Sequence, residues 1–349
     1  MNRERRFAMF GRKNSRTTDE NKIGELPSFE ARTDLAVEEQ ESFAGDGGEI
    51  KGVALREWHH RNSHIRMTEV SILDERGAKA MGKPMGTYLT LDVPDMAEKD
   101  DGYHEEVAEE LGKQLNQLIK KMCPQKKEQA SILVVGLGNI QVTPDSLGPR
   151  VVDNLQMTRH FLGEYGDDFC EKNKLPILSG IVPGVMAQTG METAEIVKGI
   201  VEETKPDMVL AIDALAARNV RRLASTIQLT DTGIHPGSGV GNHRHSMTKE
   251  SLGVPVAALG IPTVVGAAAI VHGTVEALIH TLTLNSGTEG YAKYIEDLDP
   301  ESQYELIREL MEPEFGPMFV TPQDIDERVK QLSFTVSEGI HRALYGKKE

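Results

Sequence analysis

Residues 131–149 read Ser-Ile-Leu-Val-Val-Gly-Leu-Gly-Asn-Ile-Gln-Val-Thr-Pro-Asp-Ser-Leu-Gly-Pro. Ile132–Val135 is an apolar run of strand length, and Gly136 and Gly138 turn the chain after it. Val151, Val152, Leu155 and Leu162 then mark an amphipathic helix. The same alternation continues downstream. Strands are expected at Ile177–Val182, Met208–Ile212, Thr226–Leu229 and Val254–Leu259, with helices over Ala194–Val201 and across most of Val264–Leu284. Short apolar strands alternating with helices give an α/β fold, a mostly parallel sheet flanked by helices on both faces. The last helix is expected to open at Thr321 and Pro322, a capping residue with Pro at the first helical position.

Upstream of residue 129 the pattern changes. Ile65–Leu73 and Thr87–Leu91 read as strands punctuated by Gly77, Gly82 and Gly86. Val107, Leu111, Leu115, Leu118 and Met122 recur at spacings of three and four, one face of a helix ending near Pro124. The chain therefore divides into a smaller strand-rich region over 35–128 and an α/β core with C-terminal helices over 129–349. Residues 1 to about 30 are basic and polar without an apolar period, as in a mobile tail.

Composition narrows the function classes. With 349 residues, 39% apolar residues and 33 Gly, the chain is neither wholly disordered nor collagen-like. Its two cysteines, Cys123 and Cys170, cannot build a disulfide scaffold or a four-Cys zinc site, which favours a reducing, intracellular setting. No apolar segment follows the basic N-terminus, so no secretory signal is expected. The longest uncharged stretch, between Glu250 and Glu276, is broken by Pro255 and Pro262 and argues against a membrane span. A net charge of −15 argues against a nucleic-acid-binding surface. The acidic run Asp92–Glu110 reads as a solvated face.

In an open parallel sheet, ligands bind beyond the carboxyl ends of the strands. Gly136, Gly138 and Asn139, then Asp145, follow the first core strand. Asp213 follows the Met208–Ile212 strand, and Gly237, Gly239, Gly241 and Asn242 follow the Thr226–Leu229 strand. By position alone, each acid is either a helix cap or a catalytic group. Read together, two carboxyls sharing one site retain a proton, so one can deprotonate a water while the other donates to the carbonyl or leaving group. The glycine runs are either backbone-lined substrate loops or ordinary tight turns. Gln141 breaks the dinucleotide fingerprint, and the 237–244 run lacks the Lys of a phosphate-binding loop. Neither His59, His60 and His64 nor His243 and His245 fit a zinc pattern, and Ser238 and Ser246 have no nucleophile elbow. No metal or other cofactor is expected.

Seven motifs carry a resemblance: RTDLAVE at 32–38, VVGLGN at 134–139, TPDSLGP at 143–149, PGVMAQTGMET at 183–193, AIDALAAR at 211–218, PGSGVGN at 236–242 and GIPTVV at 260–265. On these, spanning most of residues 30–345, the chain resembles the spore germination proteases of endospore-forming bacteria. The looser GxGN-then-Asp pattern is shared with hydrogenase maturation proteases, which have a similar α/β core. The resemblance implies an atypical aspartic endopeptidase, made as a self-processing zymogen in the forespore and assembled as a homotetramer. Its implied substrates are the small acid-soluble proteins that coat spore DNA. It implies no direct contact with nucleic acid, no membrane association, and a cytoplasmic location in the spore core.

The family's catalytic aspartates carry over to Asp145 and Asp213. The family cuts between an acidic residue and a hydrophobic one followed by Ala, a pattern that Asp34-Leu35-Ala36 matches, so residues 1–34 are an expected propeptide. Two features depart from the family. The N-terminal segment is longer and more basic, and Gly266 stands where an Asp is expected after PTVV. Two alternatives remain at this stage: a metal-sensing maturation protease of the same fold, or a non-catalytic binder of spore proteins.

Overall fold

The structure is a computed structural model and describes residues 33–42, 50–59, 65–94, 96, 101–125, 130–235, 245–284, 300–316 and 318–346. Its strands are β1 (Val53–His59), β2 (Arg66–Ile72), β3 (Gly86–Asp92), β4 (Ser131–Gly136), β5 (Ile177–Ile181), β6 (Met208–Ala217), β7 (Thr226–Thr230), β8 (Val256–Gly266) and β9 (Phe319–Val320). Its helices begin with α1 (Ala36–Ser42), α2 (Glu75–Met81), α3 (Asp101–Met122), α4 (Leu147–Asn154), α5 (Arg159–Tyr165) and α6 (Asp167–Lys172). They continue with α7 (Met186–Thr189), α8 (Thr193–Thr204), α9 (Lys249–Leu252), α10 (Ala267–Leu284), α11 (Pro300–Phe315) and α12 (Ile325–Tyr345).

All the described strands join one sheet in the order β1-β2-β3-β7-β8-β6-β4-β5, with β9 on β8. The core strands β5, β4, β6 and β8 are parallel. From β8 the sheet continues antiparallel through β7, β3, β2 and β1, so the N-terminal strands extend the core sheet rather than forming one of their own. Strands β4 and β6 are apolar along nearly their whole length because both faces are covered. Ile132, Val134, Leu210, Ile212 and Leu259 pack on one face against Leu111 of α3, Leu147 and Val151 of α4 and Val336 of α12. On the other face, Leu133, Val135, Val209 and Ala211 pack against Val197 and Val201 of α8.

Four expectations are corrected. The helix expected over Val151–Leu162 is two helices, broken at extended Leu155, where the Thr158 N–H donates to Leu178 O at 2.9 Å and anchors the break to β5. Strand β6 runs past Ile212 to Ala217 because it stays paired with β8 across a bulge at Leu215/Ala216. Asp213 therefore lies within a strand, not after one. Val264–Gly266, expected to be helical, belongs to β8 for the same reason. The last helix starts at Ile325, and the Thr321 hydroxyl, expected to cap it, instead donates to Thr263 O at 2.8 Å.

Candidate active site

The chain leaves β4 through α4 on one face of the sheet to reach β5. It returns from β5 through α8 on the other face to reach β6, on the opposite side of β4. The order of strands reverses there, which opens a crevice at the carboxyl ends of β4 and β6. The Leu137 N–H donates to Ile212 O at 2.8 Å and closes the floor of that crevice.

Asp145 ends a 3-10 turn over Thr143–Asp145 above β4. Its Oδ2 accepts from the Asn139 N–H at 2.8 Å, and Asn139 Oδ1 in turn accepts from Gln188 Nε2 at 3.1 Å. Gly138 has φ +109°, and a Cβ there would lie 2.0 Å from Asp145 O, so this turn needs a glycine on both counts. Ser146 occupies the residue before α4, and Oδ2 of Asp145 is turned to the Asn139 N–H.

The start of α4 presses onto the sheet beside Asp213. A Cβ on Gly148 would lie 2.4 Å from Ile212 O, 2.5 Å from Leu137 O and 2.6 Å from Leu137 N. The segments that carry Asp145 and Asp213 are thus held together through backbone. All three obstructing atoms are backbone and cannot rotate away, so Gly148→Ala is expected to lower stability by about 1–3 kcal/mol in urea unfolding. Peptidase activity should fall with it, because the helix lifts from β6. Wild-type values for both would contradict this packing.

Asp213 is 8% exposed, and its Oδ1 accepts from the Ala214 N–H at 2.9 Å. Its position inside β6 removes the capping alternative. Asp213 pairs with Gly260 of β8, which pairs with Gln228 of β7. Laterally paired residues face the same side of a sheet, so Asp213 and Gln228 project together across a position that has no side chain. Leu215 leans into the space over Gly260, where a Cβ would meet its Cδ1 at 2.5 Å.

The segment 33–36, which follows the tail expected over residues 1 to about 30, is buried on this same side of the sheet. Leu35 and Ala36 are fully buried, with Leu35 packed among Val37, Leu215 and Ala217. The Asp34 N–H donates to Ala216 O at 3.1 Å, and Asp34 Oδ2 accepts from the Ala216 N–H at 2.9 Å. Gln228 Nε2 donates to Asp34 O at 3.1 Å, and Gln228 Oε1 accepts from the Ala36 N–H at 2.7 Å. Lys83 Nζ donates to Thr33 O at 3.3 Å and to Asp34 O at 3.2 Å. Burial pushes the Lys83 ammonium down, against the pull of Asp34, Glu39 and Glu38. Burial, and then Lys83, also holds the His235 imidazole below its usual range.

Helix α1 then latches this segment down. Glu38 accepts from the N–H groups of Arg218 at 2.7 Å and Asn219 at 2.9 Å, and from the Thr33 hydroxyl. Glu39 pairs with Arg218 at 3.2 Å, and Arg222 pairs with Glu41 at 2.6 Å and Asp92 at 2.9 Å. A cleft of about 740 Å³ opens beside Arg222, but neither Asp145 nor Asp213 lines it, so it is separate from the crevice.

Of the residues singled out from sequence, Gly136, Gly138, Asn139, Asp145 and Asp213 gather at the crevice. Gly237, Gly239, Gly241 and Asn242 lie outside the described residues. On either side of them, Ile234 and Met247 pair through two hydrogen bonds of 3.0 and 2.9 Å. Gly266 ends β8, and a Cβ there would meet open space. Lys83, Gly148, Gln188 and Gln228 are the site residues that sequence reasoning missed. The signal for Gln228 was a long polar side chain in the middle of a buried strand, where it must find partners. Among the described residues, no three His, Cys, Asp or Glu side chains gather as metal ligands. No described helix is long and apolar enough to cross a membrane.

Asp145 and Asp213 thus stand at the switch point of an α/β sheet, on the side where the segment 33–36 is buried, and the class of the protein comes from its relatives. The family model Peptidase A25, germination protease, matches residues 28–290. A germination protease from Caldanaerobacter subterraneus subsp. tengcongensis is 46% identical over 319 residues, covering 90% of this chain and 94% of the relative. One from Priestia megaterium is 38% identical over 359 residues, covering 92% of this chain and 95% of the relative. The solved [NiFe] hydrogenase maturation protease HycI from Thermococcus kodakarensis KOD1 covers 65% of this chain and 97% of its own at 16% identity. Its TM-score is 0.31, so the fold assignment rests on the sheet described above. The chain belongs to the germination protease family and is an aspartic-type endopeptidase.

Proposed function

We propose that this peptidase degrades small acid-soluble spore proteins in the spore interior during germination. It is made as a zymogen and removes residues 1–34 by cutting Asp34–Leu35. Region 35–128 then braces the catalytic core 129–349, and the active form is a homotetramer. Asp145 and Asp213 share one proton. One takes a proton from the attacking water, and the other protonates the departing nitrogen.

One observation carries this reading. A segment with the acid–hydrophobic–Ala sequence is buried against β6, the strand that bears Asp213, and Asp34 bonds both the N–H and the carbonyl of Ala216. Incubating the purified chain with a small acid-soluble spore protein and weighing the fragments tests it. The expected cuts fall after an acidic residue and before a hydrophobic residue followed by Ala. Binding without shortening would contradict the reading and favour a non-catalytic binder.

A further inference from the structure

We propose that Gln228 and Lys83 form the donor pair that holds and polarises the carbonyl of the self-processing bond, an inference that rests on the reading of Asp34–Leu35 as that bond.

All five residues of β7 are buried, and Gln228 is the one with a long polar side chain. Such a group must be hydrogen-bonded, and both ends of its carboxamide are used on one peptide. Nε2 donates to Asp34 O at 3.1 Å, and Oε1 accepts from the Ala36 N–H at 2.7 Å. Only this orientation of the amide satisfies both partners, since the flipped form would oppose donor to donor. A carboxamide carries the same donor and acceptor as a peptide group. Gln228 therefore grips the segment as a rung of a β-ladder would, with one bond on each side of Leu35.

Lys83 approaches the same oxygen from the turn after α2, where Gly82 adopts a left-handed conformation (φ +59°) and ends the helix. Its Nζ lies 3.2 Å from Asp34 O. One carbonyl oxygen thus receives two side-chain donors, the Gln228 amide and the Lys83 amino group. That is the arrangement that stabilises charge developing on oxygen. When water adds to the Asp34 carbonyl carbon, a C–O bond forms and the carbonyl π electrons move onto the oxygen that Gln228 and Lys83 hold. The C–N bond then breaks, water's protons being distributed between the new Asp34 carboxyl and the Leu35 amine. Gln228 projects from the same face, and in the same lateral row, as Asp213. The gripped peptide therefore lies on the side of the sheet from which Asp213 acts.

The test follows intact mass against time for the full chain. Gln228→Glu keeps the size of the side chain and the acceptor for the Ala36 N–H, and it replaces the donor to Asp34 O with a carboxyl oxygen. Lys83→Met removes the second donor independently and carries the test if the first variant does not fold. Removing one such donor is expected to slow loss of residues 1–34 by about 100-fold, with an unchanged cleavage position and a thermal midpoint close to wild type. If wild type sheds residues 1–34 and either folded variant does so at the same rate, the donor pair is overturned while the processing site stands. If wild type is cut elsewhere or not at all, the processing site itself is wrong and the inference falls with it.

Discussion

Asp213→Asn and Asp145→Asn are each expected to slow cleavage of a spore-protein substrate by about 10²–10⁴-fold, the range for removing a positioned acid or base. Neither should unfold the protein. Asp213 Oδ1 accepts from the Ala214 N–H and Asp145 Oδ2 from the Asn139 N–H, and the carbonyl oxygen of an asparagine can accept either bond. What asparagine cannot do is exchange a proton with water or with the leaving nitrogen. Fragment yield against time, with a urea unfolding curve for each variant, separates the two effects. A folded variant within tenfold of wild type would remove that aspartate from the mechanism.

Arg222→Met is expected to lower stability by about 3 kcal/mol, the lower end of the cost of breaking a buried ion pair. Arg222 is 8% exposed and faces Asp92 at 2.9 Å, Glu38 at 3.7 Å and Glu41 at 2.6 Å. Methionine fills much of the same volume but leaves those carboxylates facing one another. The cost stays near the lower end because Glu38 keeps two backbone donors and Asp92 keeps Arg66. The side chain of Glu41 is 48% exposed, so solvent screens most of its share. Since Glu38 and Glu41 both lie on α1, the variant should also loosen that helix and the buried Leu35 before it. The control is Arg221→Met at an exposed neighbouring position, expected to change stability by no more than about 0.5 kcal/mol. Equal urea midpoints for the two variants would contradict this account of the latch.

The parallel core was legible in the sequence because its strands are short apolar runs ending in glycine or acid. The rule that ligands bind beyond strand ends singled out Asp145 after β4, and it singled out Asp213 only because β6 was expected to stop at Ile212. The full lengths of β6 and β8 were not legible. They stay paired past Ile212 and Leu259 across a bulge, and that pairing depends on the neighbouring strand rather than on local pattern. Helix α1, Ala-Val-Glu-Glu-Gln-Glu-Ser, has no apolar period to announce it, and its acids find their partners at Arg218 and Arg222, far along the chain. Lys83, Gln228 and the buried segment 33–36 come from three separate parts of the sequence, so no spacing rule could bring them together. The capping alternative for Asp145 also looked sound locally. The contact of Asp145 with the Asn139 N–H depends on the turn at Gly138, which a local capping pattern does not announce.

The most direct measurement is the intact mass of the full-length chain over time at mildly acidic pH, for wild type and for the folded Asp145→Asn and Asp213→Asn variants. Wild type should lose residues 1–34 and leave a chain beginning at Leu35, and both variants should keep their full mass. A folded variant that still sheds residues 1–34 would contradict cleavage by the aspartate pair.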